Sequence, residues 1–341
     1  TWTSGISFSG KKITLKGAGI GNTVISLGAI YAVNIGTSGS RVTGFEFNIS
    51  STSGIGVFAS HTGWRVDHCE FDYRSAGGNG TAVWANNNNL NYPTWGIGGL
   101  VDNNNFYDCA TASAGPAVPG ADYTWFVIMS APMDLGGPSA VYFEDNTFNM
   151  AAFGNIVDTN YGGAYVFRYN TVYKKETSAG YPIEAHSLQS LSRGSKKWEI
   201  YRNILDAEDN LLPAQLRGGT GIVFDNTFSG QWVYETFLLD NRRSYQDLGP
   251  GPCDGSTDWD GNVGVGEEAG YPCRDQIGRG SDSSAWTESA PYPSQPLVPT
   301  YIFGNTPWNA TAVTPGAAKH IKADRDYYDY TADFDGTSGV G

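Results

Sequence analysis

The sequence predicts a right-handed, single-stranded parallel β-helix, an all-β solenoid interrupted by long loop insertions. Three observations carry this: a recurring six-residue phrase, a step of 23 or 24 residues between its closest copies, and asparagine held in one register.

The phrase is apolar at its first and sixth places and often has Asn at the fourth. It reads VTGFEF from Val42, VDHCEF from Val66, VDNNNF from Val101, FEDNTF from Phe143 and FRYNTV from Phe167. It continues as IYRNIL from Ile200, VFDNTF from Val223 and IFGNTP from Ile302. The successive steps are 24, 35, 42, 24, 33, 23 and 79 residues, so the longer ones equal one coil plus an insertion. A step of 23 or 24 suits one turn of a three-sided coil whose sides are short strands, stacked at an inter-strand spacing of ~4.8 Å. Asn104, Asn146, Asn170, Asn203 and Asn226 share one place in the phrase. Stacked asparagines can hydrogen-bond along the axis, and Asn tolerates the left-handed backbone of a sharp turn. A propeller would require a blade signature every ~40–45 residues, and the short steps exclude it.

The first recognisable coil starts at Ile13, and coils are expected through residue 248. Residues 249–300 turn to Gly, Pro, Ser and Asp. Cys253 and Cys273 flank the centre of that stretch, and a disulfide closing it is expected, which places the protein in an oxidising, extracellular or cell-surface setting. Residues 301–341 are expected to supply a final strand at Tyr301–Asn305 and an acidic, aromatic tail folded on the flank. Cys69 and Cys109 are open between pairing and burial as free thiols.

The net charge of −13 argues against nucleic acid and anionic membrane as partners. No apolar stretch approaches the ~20 residues that span a bilayer. The chain opens directly in strand-like sequence and reads as a mature or trimmed product.

The segments ISFSGKKITLKGAG, WRVDHCEF and RYNTV…HS…SRGSKKWEIYRN, with CRDQIGRG, YIFGNT and DRDYYDY, resemble secreted bacterial β-helix proteins of the pectate-lyase-like superfamily. The resemblance covers nearly the whole chain and implies a polysaccharide as partner and lyase-like or hydrolase-like activity. It brings no complete active site: the paired Asp residues and Gly-His-Gly of polygalacturonases are missing.

Lyase chemistry on a uronic acid requires a base for the C5 proton, a cation for the carboxylate and an acid for the leaving oxygen. From Arg168 to Arg243 there are ten Lys/Arg against nine Asp/Glu, or +1, while Asp247 to Gly341 carries 5 against 14, or −9. The less acidic middle can face an anionic glycan, or simply be solvated coil edges. Within it His186 is the candidate base, with Arg193 and Arg217 as carboxylate clamps and Arg168 as a further contact. The alternative for Arg193 and Arg217 is bonding carbonyls at turns, or pairing with Glu184 and Glu199. Trp84, Trp95 and Trp125, assigned to insertions, are either sugar platforms or packing for the loops that carry them. Asp258, Asp260 and Asn262 alternate as oxygen donors suited to Ca2+, outside an EF-hand pattern, which would require Gly at Val263 and Glu at Ala269. A second function is a non-catalytic surface or filament protein, self-associating end to end through uncapped coils.

Overall fold

The structure is a computed structural model and describes residues 3–27, 31–77, 80–86, 97–114, 140–151, 155–160, 162–175, 181–187, 194–210, 212–232, 237–247, 251–257, 260–262, 266–279, 296–307 and 311–330. These residues form three long, all-parallel sheets of ten, ten and eight strands. Consecutive strands never pair within a coil. Each pairs with its counterpart one coil away, which is the topology of a right-handed parallel β-helix. No α-helix occurs among the described residues, and none there is long and apolar enough to cross a membrane.

Among the described residues, each of the first eight coils contributes a strand to the first sheet, then to the second, then to the third, and the last two contribute to the first and second alone. The first coil, for example, supplies Ile6–Ser9, Thr14–Lys16 and Val24–Leu27. The recurring phrase spans the corner between second and third sheets: Val101 ends one strand with Asp102, and Asn105–Tyr107 begins the next. Its sixth place faces the interior, where Phe47, Phe71, Phe106 and Phe148 stack along the axis at 4.7, 5.1 and 4.6 Å between ring centroids. All four rings are fully buried, so they contribute area burial and offset stacking together.

The fourth place forms the expected ladder. Asn104 Nδ2 donates to Asn146 Oδ1 (3.1 Å), Asn146 to Asn170 (3.0 Å), Asn170 to Asn203 (3.1 Å), Asn203 to Asn226 (2.9 Å) and Asn226 to Asn305 (2.9 Å). Each side-chain oxygen also accepts the backbone N–H of the preceding ladder residue, and each amide also donates to a carbonyl of the corner, such as Phe143 O for Asn170. The left-handed backbone falls elsewhere than expected. It belongs to the third place of the phrase: Gly44, His68, Asn103, Asp145, Tyr169, Arg202, Asp225 and Gly304 all have φ between 52° and 76°. The asparagines are there to hydrogen-bond, and the residue before them turns the corner. Cys69 occupies the ladder place one coil earlier, as a buried free thiol whose N–H donates to Asn104 Oδ1. Burial pushes its thiol up to about 12. Cys109 is likewise buried and free.

The stack extends further than the phrase indicates. Thr300–Phe303 rejoins it as expected, and Phe237–Leu239 and Ala312–Val313 add to the first sheet. Tyr327–Tyr330, expected on the flank, is the tenth strand of the second sheet, paired with Thr300–Phe303. The expected disulfide joins Cys253 and Cys273, with Cα atoms 5.8 Å apart. Around it Arg243 reaches Asp260 (2.8 Å), and Tyr271 lies between the Arg325 and Arg279 guanidiniums, at 3.7 and 4.6 Å from its ring centre.

Outside the second sheet, charges alternate between coils: Arg41 pairs bidentately with Asp67, and Arg65 with Asp102 (2.8 and 2.6 Å). Burial alone would raise the Asp67 carboxyl, but hydrogen bonds from Arg41 and His68 outweigh it and hold it below its ordinary 3.8. A native value depressed in this way contributes stability above 3.8 that is lost as pH falls through the native value. Acid titration of unfolding free energy should therefore show a limb below that point which Asp67→Asn flattens. Asn170→Ala removes one rung and leaves a buried N–H and two amide partners unsatisfied; urea unfolding should show a loss of about 3 kcal/mol.

Candidate functional site

The outer face of the first sheet carries the polar cluster. Its strands Val157–Asn160, Ile183–Ala185, Ala214–Leu216 and Phe237–Leu239 are neighbours in that order. Side chains alternate across a strand, so Ile183, Ala185, Ala214, Leu216, Phe237 and Leu239 fill the core. Glu184 is in register with Gln215, and Gln215 with Leu238, on the outside. The ladder runs one residue beyond the strands: the N–H groups of His186, Arg217 and Asp240 donate to Thr159, Ala185 and Leu216 carbonyls at 2.9, 2.8 and 2.9 Å. His186, Arg217 and Asp240 thus follow one another on consecutive coils at the end of this face.

His186 is the centre. Its Nδ1 lies 2.7 Å from Asp158 Oδ1, and its Nε2 lies 3.9 Å from Glu184 Oε1. A carboxylate oxygen accepts, so Nδ1 is the donor in this hydrogen bond, and the neutral tautomer that fits it has its lone pair on Nε2. The imidazole is about a quarter exposed (26%), enough to meet a solute. Glu184 is spoken for: Arg217 Nη2 and Asn155 Nδ2 both engage it closely. The Arg217 side chain is 2% exposed, and burial, with the Arg242 cation nearby, pulls its guanidinium down to about 10. In the next coil Asp240 accepts from Gln215 Nε2 (3.3 Å) and from the Tyr245 hydroxyl (3.1 Å to both oxygens). Burial and the Asp240 charge push that phenol up to about 12.

Of the expected catalytic residues, His186 and Arg217 are therefore adjacent, with Glu184 between their functional atoms. Arg217 makes the Glu184 pairing that was the alternative to a substrate clamp. Arg193 lies outside the described residues, as do Trp95, Trp125 and Asp258. Trp84 belongs to the strand Gly80–Asn86 rather than to an insertion. It is half-buried on the outer face of the same sheet and edge-on to Phe58 at 5.7 Å. Arg168 is on the second sheet, a different face from His186, where it donates to Glu144 (2.5 Å) and the Tyr201 hydroxyl (2.7 Å). Burial alone would lower its guanidinium; those hydrogen bonds hold it above its ordinary value. Asp260 is buried against Arg243, Gly255 N and Thr257 Oγ1, and Asn262 bridges Gly255 O and Gly270 N. Both knit the disulfide-closed loop together.

Sequence reading missed Asp158, Asn155, Asp240 and Tyr245, and counted Arg242 in the basic stretch without singling it out. Arg242 is half-exposed and makes no ion pair among the described residues, so it is a cation available beside the cluster. Among the described residues, two groups of donors are close enough together to hold a metal ion. Asp158, Glu184 and His186 each offer one atom, all within 4.8 Å, a nitrogen-and-carboxylate set that suits Zn2+ better than Ca2+. The other, Cys253, Cys273 and His320, has both sulfurs committed to the disulfide.

Fold and site together define the chain as a parallel β-helix with an acid–base cluster on its first sheet. Neither a family model, nor a curated protein, nor a solved structure matches it. Breaking the buried pair by Arg217→Met should lower stability by roughly 3 kcal/mol, because Glu184 keeps a desolvated charge. The double variant Arg217→Met/Glu184→Leu should recover most of that in the same urea titration.

Proposed function

We propose that this protein acts outside the cell on an acidic polysaccharide, cleaving it by β-elimination with His186 as the proton acceptor. The observation that carries this reading is the His186 imidazole, held through Nδ1 by Asp158 at 2.7 Å on a side chain that is about a quarter exposed (26%). A base oriented by a carboxylate through its other nitrogen is the arrangement that proton abstraction calls for. In the step, the C5 proton of a uronate passes to Nε2 and the C–H electrons form the C4–C5 double bond. The C4–O bond breaks, and the departing oxygen takes a proton from solvent. Arg242 supplies the positive charge that stabilises the substrate carboxylate as the carbanion develops. The resemblance to the pectate-lyase-like superfamily points to the same substrate class. The disulfide fits an oxidising compartment.

The test is release of unsaturated sugars, followed by ultraviolet absorbance, over a panel of polyuronates. His186→Ala should lower the rate by about 10²–10⁴. Asp158→Asn should lower it by on the order of 10², because an amide can donate to Nδ1 and trap the wrong tautomer. Wild-type rates in both variants would remove His186 from the mechanism, and a wild type inert on every polyuronate would remove the lyase reading.

A further inference from the structure

Described residues of 251–279 hydrogen-bond to three successive coils. At one end Cys253 N–H donates to Arg243 O (2.9 Å), in the 3-10 turn Arg242–Ser244 that follows Asp240. The disulfide fixes Cys253 to Cys273. From Cys273 the chain is held by reciprocal bonds with Gln276: Cys273 N to Gln276 Oε1 (3.1 Å) and Gln276 N to Cys273 O (3.2 Å). Between them Asp275 adopts a left-handed backbone, φ 61°, unusual for a residue with a side chain, and is 1% exposed.

Asp275 reaches two coils at once. Its carboxylate Oδ2 accepts the Gly194 N–H at 2.7 Å, and its backbone oxygen accepts the Gly219 N–H at 3.2 Å. Gly194 precedes Ser195, whose N–H donates to the His186 carbonyl (2.7 Å) and whose hydroxyl donates to the Thr159 carbonyl (2.6 Å). Gly219 is two residues after Arg217. The approach is close enough that a Cβ on Gly218 would stand 2.7 Å from Asp275 O and 2.8 Å from His186 O.

We infer that Asp275 is a positioning residue for the His186 site, held in place by the Cys253–Cys273 strap. It rests on the reading of His186 as the reacting group, but its geometry can be measured without turnover. Asp275 acts through other residues: it anchors Gly194, whose neighbour Ser195 donates to His186 O, and Gly219, and so fixes where the imidazole sits against Glu184. Small displacements of a base matter, since a misplacement of ~1 Å can cost about 10² in rate.

The experiment compares Asp275→Ala, Asp275→Asn and Cys253→Ser/Cys273→Ser in the full chain. Hydrogen exchange is read at the Gly194 and Gly219 amides, His186 is read by its ring NMR signals, and cleavage by kcat and KM. Asp275→Ala should speed exchange at both amides at least tenfold, shift the His186 signals, and lower kcat at least tenfold with KM little changed. Asp275→Asn, which keeps an acceptor for Gly194, should restore most of each effect. The double Ser variant should reproduce the exchange pattern of the Ala variant. Unchanged exchange and unchanged His186 signals in Asp275→Ala would overturn the inference. So would a loss of kcat that Asn does not rescue and that follows the fall in Tm. A wild type inert on polyuronates would end the lyase reading, while the exchange and ring signals still decide the strap.

Discussion

The rest of this structure depends on backbone pairing between one coil and the next. Every strand finds its partner one turn of the solenoid away, so each residue's neighbours along the axis are fixed by its place in the coil and not by its place in the chain. The corner between second and third sheets shows what that makes possible. An asparagine amide is costly to bury alone, but a column of them leaves no amide unpaired, because each oxygen takes the N–H groups of one neighbour and each NH2 serves the other. The ladder works only while the register is unbroken, which links the coils as a single cooperative unit.

The same register builds the site. Asp158, Glu184 and Arg217 are far apart in sequence and meet because alternation sends them outward from adjacent coils. The outer face of a solenoid is ordinarily solvated, so a guanidinium only 2% exposed there is a departure from the pattern. Arg217 holds Glu184, and Asp158 holds His186. The two pairs differ in exposure: the first is buried, and the second is about a quarter exposed. Asp275, two residues past Cys273, accepts from Gly194 and Gly219 in the coils that carry the two pairs.

Aromatic residues need the same distinction. Tyr201, Phe224 and Phe303 form a column outside the second sheet, with centroids 4.6 and 5.1 Å apart and planes within 14° of parallel. Rings stacked this way spend their faces on one another and turn only edges to solvent. A sugar packs on a ring face, so abundance of half-exposed aromatics does not by itself make a glycan platform. Trp84 is edge-on to Phe58 and lies on the same sheet as His186.

By itself, the sequence determined the solenoid. The phrase, its 23- or 24-residue step and the Asn register are local patterns, and local patterns set the core, the ladder and the loop closed by Cys253 and Cys273. His186 was legible as a scarce titratable residue beside a basic stretch. Its partners were not, since insertions make the distance from Asp158 to Glu184, and from Glu184 to Gln215, differ from one coil length. No spacing rule predicts that they align. The turning residue at the third place was equally hidden, because Gly, His, Asn, Asp, Tyr and Arg all occupy it. Only the tertiary structure decided which outward side chains meet. Inter-coil hydrogen bonding, rather than any property of the residues alone, brings Asp158 to His186 and Arg217 to Glu184.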